Sequence, residues 1–172
     1  METEALRLAV VMQRKPLANR WQAYQWSPLE VFIEPDFPAG PPRELLGGED
    51  EMRWLFSGFE LRLYSDDAEG YFLNVDTAAP CWFIMSRPEQ IDGVEVMVPR
   101  FVTLSYHEAA RLMDGGEHVD TLPAPDWIGE HLKEFVQQWY RPEPKRKRRK
   151  PSFEGGVGVE RMAQAEGQSH GR

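Results

Sequence analysis

Apolar and polar positions alternate most regularly over residues 53–86, RWLFSGFELRLYSDDAEGYFLNVDTAAPCWFIMS. Phe59, Leu61 and Leu63 are interleaved with Glu60, Arg62 and Tyr64, the period of two that gives a strand one face in a core and one in water. Asp66-Asp67-Ala68-Glu69-Gly70 then supplies turn chemistry, and Tyr71, Leu73 and Val75 resume the alternation. The pattern predicts a meander of three or four short antiparallel strands here.

The flanking stretches extend the same pattern. Residues 5–14 form an opening strand, left by a turn at 15–20, and 21–25 a second strand in which Trp21, Tyr24 and Trp26 offer large surfaces to bury. Pro28 interrupts the ladder before a third strand carrying Leu29, Val31 and Ile33, and a proline there fits an edge position. Residues 35–51, PDFPAGPPRELLGGEDE, are predicted to be a long irregular loop with one short turn at 43–46. A connection over 87–93 leads to two more strands, 94–98 and 101–104, on either side of Pro99.

After residue 104 the period changes. Ser105-Tyr106-His107-Glu108 is a capping box that opens a helix over 106–113, stopped by Asp114-Gly115-Gly116, where glycine can take the left-handed cap. Pro125 and Asp126 mark the start of a last helix, and Ile128, Leu132, Phe135 and Trp139 form one apolar stripe along it until Pro142. The expected fold is mainly β with α. It is a small antiparallel barrel or sandwich of about seven or eight strands, with one short helix and a C-terminal amphipathic helix.

Composition bounds this picture. A 172-residue chain that is 41% hydrophobic and 12% aromatic can bury enough surface to offset chain entropy, which implies one β-rich domain over 1–141. The remaining 142–172 has low complexity and no apolar periodicity, and is expected to be a disordered basic tail. Residues 1–140 carry 11 Lys and Arg against 24 Asp and Glu, whereas 141–172 carry 9 against 4. The body therefore repels polyanions and the tail attracts them. The single cysteine, Cys81, excludes an internal disulfide framework and a Cys-rich metal site. No run of apolar residues is long enough to span a membrane, and the acidic N-terminus is unlike a secretory signal, so a cytoplasmic protein is expected.

Each candidate for chemistry meets a plainer explanation. His107, Glu108, Asp114, Glu117, His118 and Asp120 are the densest group of possible metal ligands, but their spacing matches neither a helical zinc site nor a calcium loop. Asp66, Asp67 and Glu69 could pair as acid and base, yet at a hairpin tip they would be ordinary solvated carboxylates. Cys81 lies in the apolar run PCWFIM with no neighbouring base or cation to activate it. Phosphate-binding glycine loops and nucleophile elbows do not occur, so neither an enzyme nor a cofactor is indicated. The basic run Lys145, Arg146, Lys147, Arg148, Arg149 and Lys150 lacks the interleaved aromatics of a base-stacking segment, which disfavours nucleic acid. It is expected instead to bind an acidic protein surface, its own domain included.

KPLANRWQ at 15–22, FELRLYSDDAEGYFLNV at 59–75, PCWFIM at 80–85, YHEAARLMDGGE at 106–117 and YRPEPKRKR at 140–148 occur in this order. Together they resemble the proteobacterial DUF3305 family, across most of residues 9–150. The resemblance implies a setting beside molybdenum-dependent formate dehydrogenase, together with a second small protein and a TorD-like chaperone. It implies no catalytic residue. Two function classes follow. One is a non-catalytic accessory or assembly protein that binds a dehydrogenase subunit or an assembly factor through the acidic surface, the loop 35–51 and the basic tail. The other is a barrel holding a small ligand or cofactor precursor among Trp21, Trp26, Trp54 and Trp82.

Overall fold

The computed structural model describes residues 2–144. Leu8 to Met12 form an unbroken apolar run inside the first strand, β1 (Leu6–Pro16), and all five are buried. Such a run needs cover on both faces. Leu8, Val10 and Met12 enter the main core, while Ala9 and Val11 pack with Leu55 under Phe32 and Phe37. β1 is flanked on both sides by antiparallel partners, β2 (Tyr24–Ile33) and β4 (Met52–Leu61), and β3 (Arg43–Gly47) pairs the far side of β4. The resulting sheet has the order β2-β1-β4-β3.

The second sheet is β6-β5-β7, built from β5 (Cys81–Ile91), β6 (Val94–Thr103) and β7 (His118–Pro123). Trp82, Ile84, Val96, Val98 and Val102 from this sheet share one core with Met12, Trp54 and Phe56 from the first. The fold is therefore mainly β, and among the described residues it has two antiparallel sheets and no closed barrel. Among the described residues three α-helices accompany the sheets: α1 (Ala68–Val75), α2 (Tyr106–Asp114) and α3 (Asp126–Trp139). Among the described residues no helix is long and apolar enough to cross a membrane.

Prolines that were expected to break strands do not. Pro28 sits inside β2 opposite Met12, beside a shift in register that leaves Leu29 bulged, and Pro99 sits inside β6 opposite Ser86, beside a bulge at Arg100. Both are edge strands, where a missing donor faces outward and a bulge absorbs the mismatch. Residues 87–93 are likewise not a connection but the end of β5 and a two-residue turn. Asp92 and Gly93 have φ of 50° and 79°, the pair of positive values that an Asp-Gly hairpin of type I′ requires. β7 pairs β5 only as far as Ser86, so Pro88 lies where that side of β5 is free.

Two further corrections concern loops that are strands. Residues 43–47 pair with β4 around a bulge at Leu45, and the whole of β3 is exposed. His118–Pro123, to which the sequence pattern assigns no element, closes the other edge of β5.

The largest correction falls in 68–75. The residues expected to return as a strand form α1, so the central meander is strand, helix, strand. Ala68, Tyr71, Phe72 and Val75 are spaced i, i+3, i+4, i+7, and as a helix they give one apolar face. That face meets α3, whose predicted stripe of Ile128, Leu132, Phe135 and Trp139 is buried at its first three positions and half-buried against the core at Trp139. The rings of Tyr71 and Phe135 meet edge to face at 5.6 Å, and Phe72 stacks on Tyr140 at 4.7 Å.

Candidate functional site

α1 is held by polar bonds as well as by packing. Asn74, fully buried, donates from Nδ2 to the carbonyls of Cys81 and Leu104, both at 2.9 Å, and accepts from the Cys81 amide at 3.0 Å. One side chain thus ties the helix to the start of β5 and to the residue that follows β6. A turn earlier, the buried Tyr71 hydroxyl accepts from the Tyr64 amide at 3.1 Å. Burial holds this phenol protonated well above its ordinary range, and the nearby carboxylates of Asp67 and Glu108 act the same way.

α2 begins where the capping box places it. Ser105 Oγ accepts from the Glu108 amide at 3.2 Å, and the other end closes on Gly116. With φ of 84° Gly116 donates to the Met113 carbonyl while Glu117 donates to that of Leu112, the paired bonds of a Schellman motif. Gly70 brings the two helices together. A Cβ on it would lie 2.2 Å from Ser105 Oγ and 2.7 Å from Asp67 Oδ1.

This close approach leaves a groove between α2 and the 3-10 turn Ser65–Asp67 that precedes α1. Its volume is about 660 Å³, and it is lined by Tyr64, Asp66, Asp67, His107, Glu108 and, one and two turns along α2, Arg111 and Asp114. His107, Arg111 and Asp114 stand at i, i+4 and i+7, hence on one side of the helix. The groove continues past Tyr64 and Glu108 into a smaller cavity, about 180 Å³, bounded by Glu60, Arg62, Phe101 and Thr103. Asp67 Oδ2 is shut off from solvent with no hydrogen-bond partner.

Two sets of acidic residues that are unremarkable in the sequence thus converge. The supposed hairpin tip supplies Asp66 and Asp67, and the supposed metal cluster supplies His107, Glu108 and Asp114. The rest of that cluster is elsewhere. Glu117 receives two hydrogen bonds from the Arg87 guanidinium, which hold its carboxyl below the ordinary range, and His118 Nε2 meets Asp120 Oδ2 at 2.9 Å. Among the described residues no three His, Cys, Asp or Glu side chains converge closely enough to hold a metal ion. Cys81 is half-buried, and burial raises its thiol rather than activating it.

Tyr64 and Arg111 were missed as site residues because neither belongs to a recognisable motif. The signal that could have found them is the helical spacing of Ala68, Tyr71, Phe72 and Val75, which turns the segment before it into a wall against α2. Of the four tryptophans offered as a ligand lining, Trp54 and Trp82 are core and Trp21 is 86% exposed. Trp26 alone faces a cleft, about 510 Å³, shared with Arg14, Tyr24, Met97 and His118. There the Arg14 guanidinium lies 4.2 Å from the centre of the Tyr24 ring. The basic residues Lys145, Arg146, Lys147, Arg148, Arg149 and Lys150, and the expected disorder around them, lie outside the described residues.

No curated protein and no solved structure matches the chain. A family model does, that of "Protein of unknown function (DUF3305)", over residues 7–149. Its match takes in both sheets, all three helices and both walls of the groove, and the chain belongs to the DUF3305 family.

Proposed function

We propose that this chain is a non-catalytic accessory protein of the cytoplasm that acts by binding another protein. Its partner, on this reading, is a subunit or an assembly factor of a molybdenum-dependent formate dehydrogenase. The observation that supports binding is the aromatic surface left in water around α2. Tyr106, Tyr64 and Phe101 are 46%, 41% and 39% exposed, on a molecule whose core already takes up Trp54, Trp82 and Tyr71. Exposed aromatic rings beside polar groups are the composition that distinguishes protein interfaces from other surface. The dehydrogenase setting rests on the family resemblance alone.

The test is purification of the tagged full chain from its native cells after cross-linking, combined with deletion of its gene. Co-purification of a formate dehydrogenase subunit or assembly factor, with loss of formate dehydrogenase activity in the deletion strain, is expected. Full activity in that strain, with none of those proteins recovered, rejects the reading. The Trp26 cleft favours a second reading, a small-ligand binder. A stoichiometric small molecule in native mass spectra, lost in Trp26→Ala, would support it.

A further inference from the structure

The groove between the Ser65–Asp67 turn and α2 has a definite chemical character. Asp66, Asp67, Glu108 and Asp114 bring four carboxylates to it against one guanidinium, Arg111, and the His107 imidazole. None of these carboxylates has an ion-pair partner among the described residues. The Tyr64 and Phe101 rings lie along the same path, where the groove runs on into the smaller cavity. Asp67 Oδ2 is closed off from solvent without a donor, so the wall of the groove holds an acceptor that is left unpaired.

We propose that this groove docks an extended basic segment of a protein partner, one in which Arg or Lys alternates with apolar residues. The proposal rests on the protein-binding reading above and names the chemistry of the segment bound. Alternation follows from the lining. Carboxylates pair with guanidinium or ammonium groups by charge-assisted hydrogen bonds, and the Tyr64 and Phe101 faces accept an apolar side chain or the flat side of a guanidinium. Arg111, whose guanidinium has no hydrogen bond or ion pair among the described residues, has donors for the carbonyls of an extended backbone. The excess of acid over base in residues 1–140 attracts such a segment from a distance and turns away nucleic acid.

Fluorescence anisotropy of the full chain with a fluorescein-labelled Arg-Leu-Arg-Leu-Arg-Leu-Arg-Leu peptide tests this, with the Glu-Leu counterpart as control. Two double variants remove the same charge from different places. Asp66→Asn with Asp114→Asn empties the groove of two exposed carboxylates, whereas Asp36→Asn with Asp92→Asn removes two exposed carboxylates outside it. The basic peptide is expected to bind, with affinity about tenfold weaker for the groove variant and within about twofold of wild type for the other. Equal weakening in both, no weakening in either, or no binding of the basic peptide overturns the groove. Recovery of the native partner then separates the two proposals. If the groove variant still captures the dehydrogenase subunit or assembly factor, the docking proposal fails and the accessory reading stands.

Discussion

α1 and α2 lie side by side and are almost the same length, yet they are opposite kinds of helix. α1 buries Ala68, Gly70, Tyr71 and Asn74, and its polar groups are spent on the backbone of other elements. α2 buries Ala109 alone and turns His107, Arg111 and Asp114 to the groove. The contrast divides the region into a helix that holds the fold and a helix that displays side chains. Substitutions in α1 should therefore be read out as stability, and those on the groove side of α2 as binding.

The strongest way to break the comparison is Asn74→Ala. It removes three hydrogen bonds at once and leaves the half-buried Cys81 amide and carbonyl and the buried Leu104 carbonyl without this partner. At 1–3 kcal/mol for a buried group left unpaired, a loss of about 3 kcal/mol is expected in urea unfolding. A loss below about 1 kcal/mol would mean that α1 is not anchored as described.

Gly70→Ala comes next. Alanine is the better helix former by about 1 kcal/mol, so an exposed helical glycine would gain from the change. Here the new methyl meets Ser105 Oγ and Asp67 Oδ1, and a net loss of about 1–2 kcal/mol is expected instead. The variant should also push α1 away from α2 and weaken groove binding. Because the obstruction includes the Ser105 hydroxyl, the same substitution should cost less in a Ser105→Ala background. Additive losses would locate the strain elsewhere.

Ser105→Ala alone tests the boundary between the two helices. Its hydroxyl caps α2 through the Glu108 amide, and loss of an N-cap costs about 1 kcal/mol. The effect should appear as fraying of α2, seen by faster amide exchange at Glu108 and Ala109, with α1 unchanged.

How much of this was legible depended on whether the signal was local. The Ser105 cap, the glycine stop and the α3 stripe are local patterns, and the structure has them where the spacing put them. Pro28 implied the edge position that β2 takes, but it and Pro99 were expected to interrupt their strands, because whether proline ends a strand depends on which neighbour is missing, and that is a property of the sheet. Tyr71, Leu73 and Val75 fit a strand, while Ala68, Tyr71, Phe72 and Val75 fit a helix equally well. The choice is made by α3, which needs an apolar face to lie against. β7 was hidden for the same reason, since its pairing is with β5 and its own sequence, HVDTLP, is half polar. The groove was illegible because it joins two acidic segments from different parts of the chain, each ordinary by itself.

The smallest effect expected is a pH effect at the end of α2. Glu117 follows the glycine stop, and its carboxyl is held below the ordinary value of 4.5 chiefly by hydrogen bonds from Arg87 on β5. A carboxyl lowered in the folded state binds protons more weakly there than in the unfolded chain. The contribution is therefore fully present above pH 4.5 and is lost as pH falls through the lower folded value. Both partners are at the surface, where screening keeps such pairs weak. Arg87→Ala should melt slightly below wild type at pH 7, and the gap should close between pH 4.5 and the acid limit of folding. A gap that persists unchanged to that limit would show that Arg87 acts through packing of its aliphatic stem rather than through Glu117. The comparison of the helices is sharpened by either result, because it shows whether α2 is fastened at its far end by charge or only by the Gly116 turn.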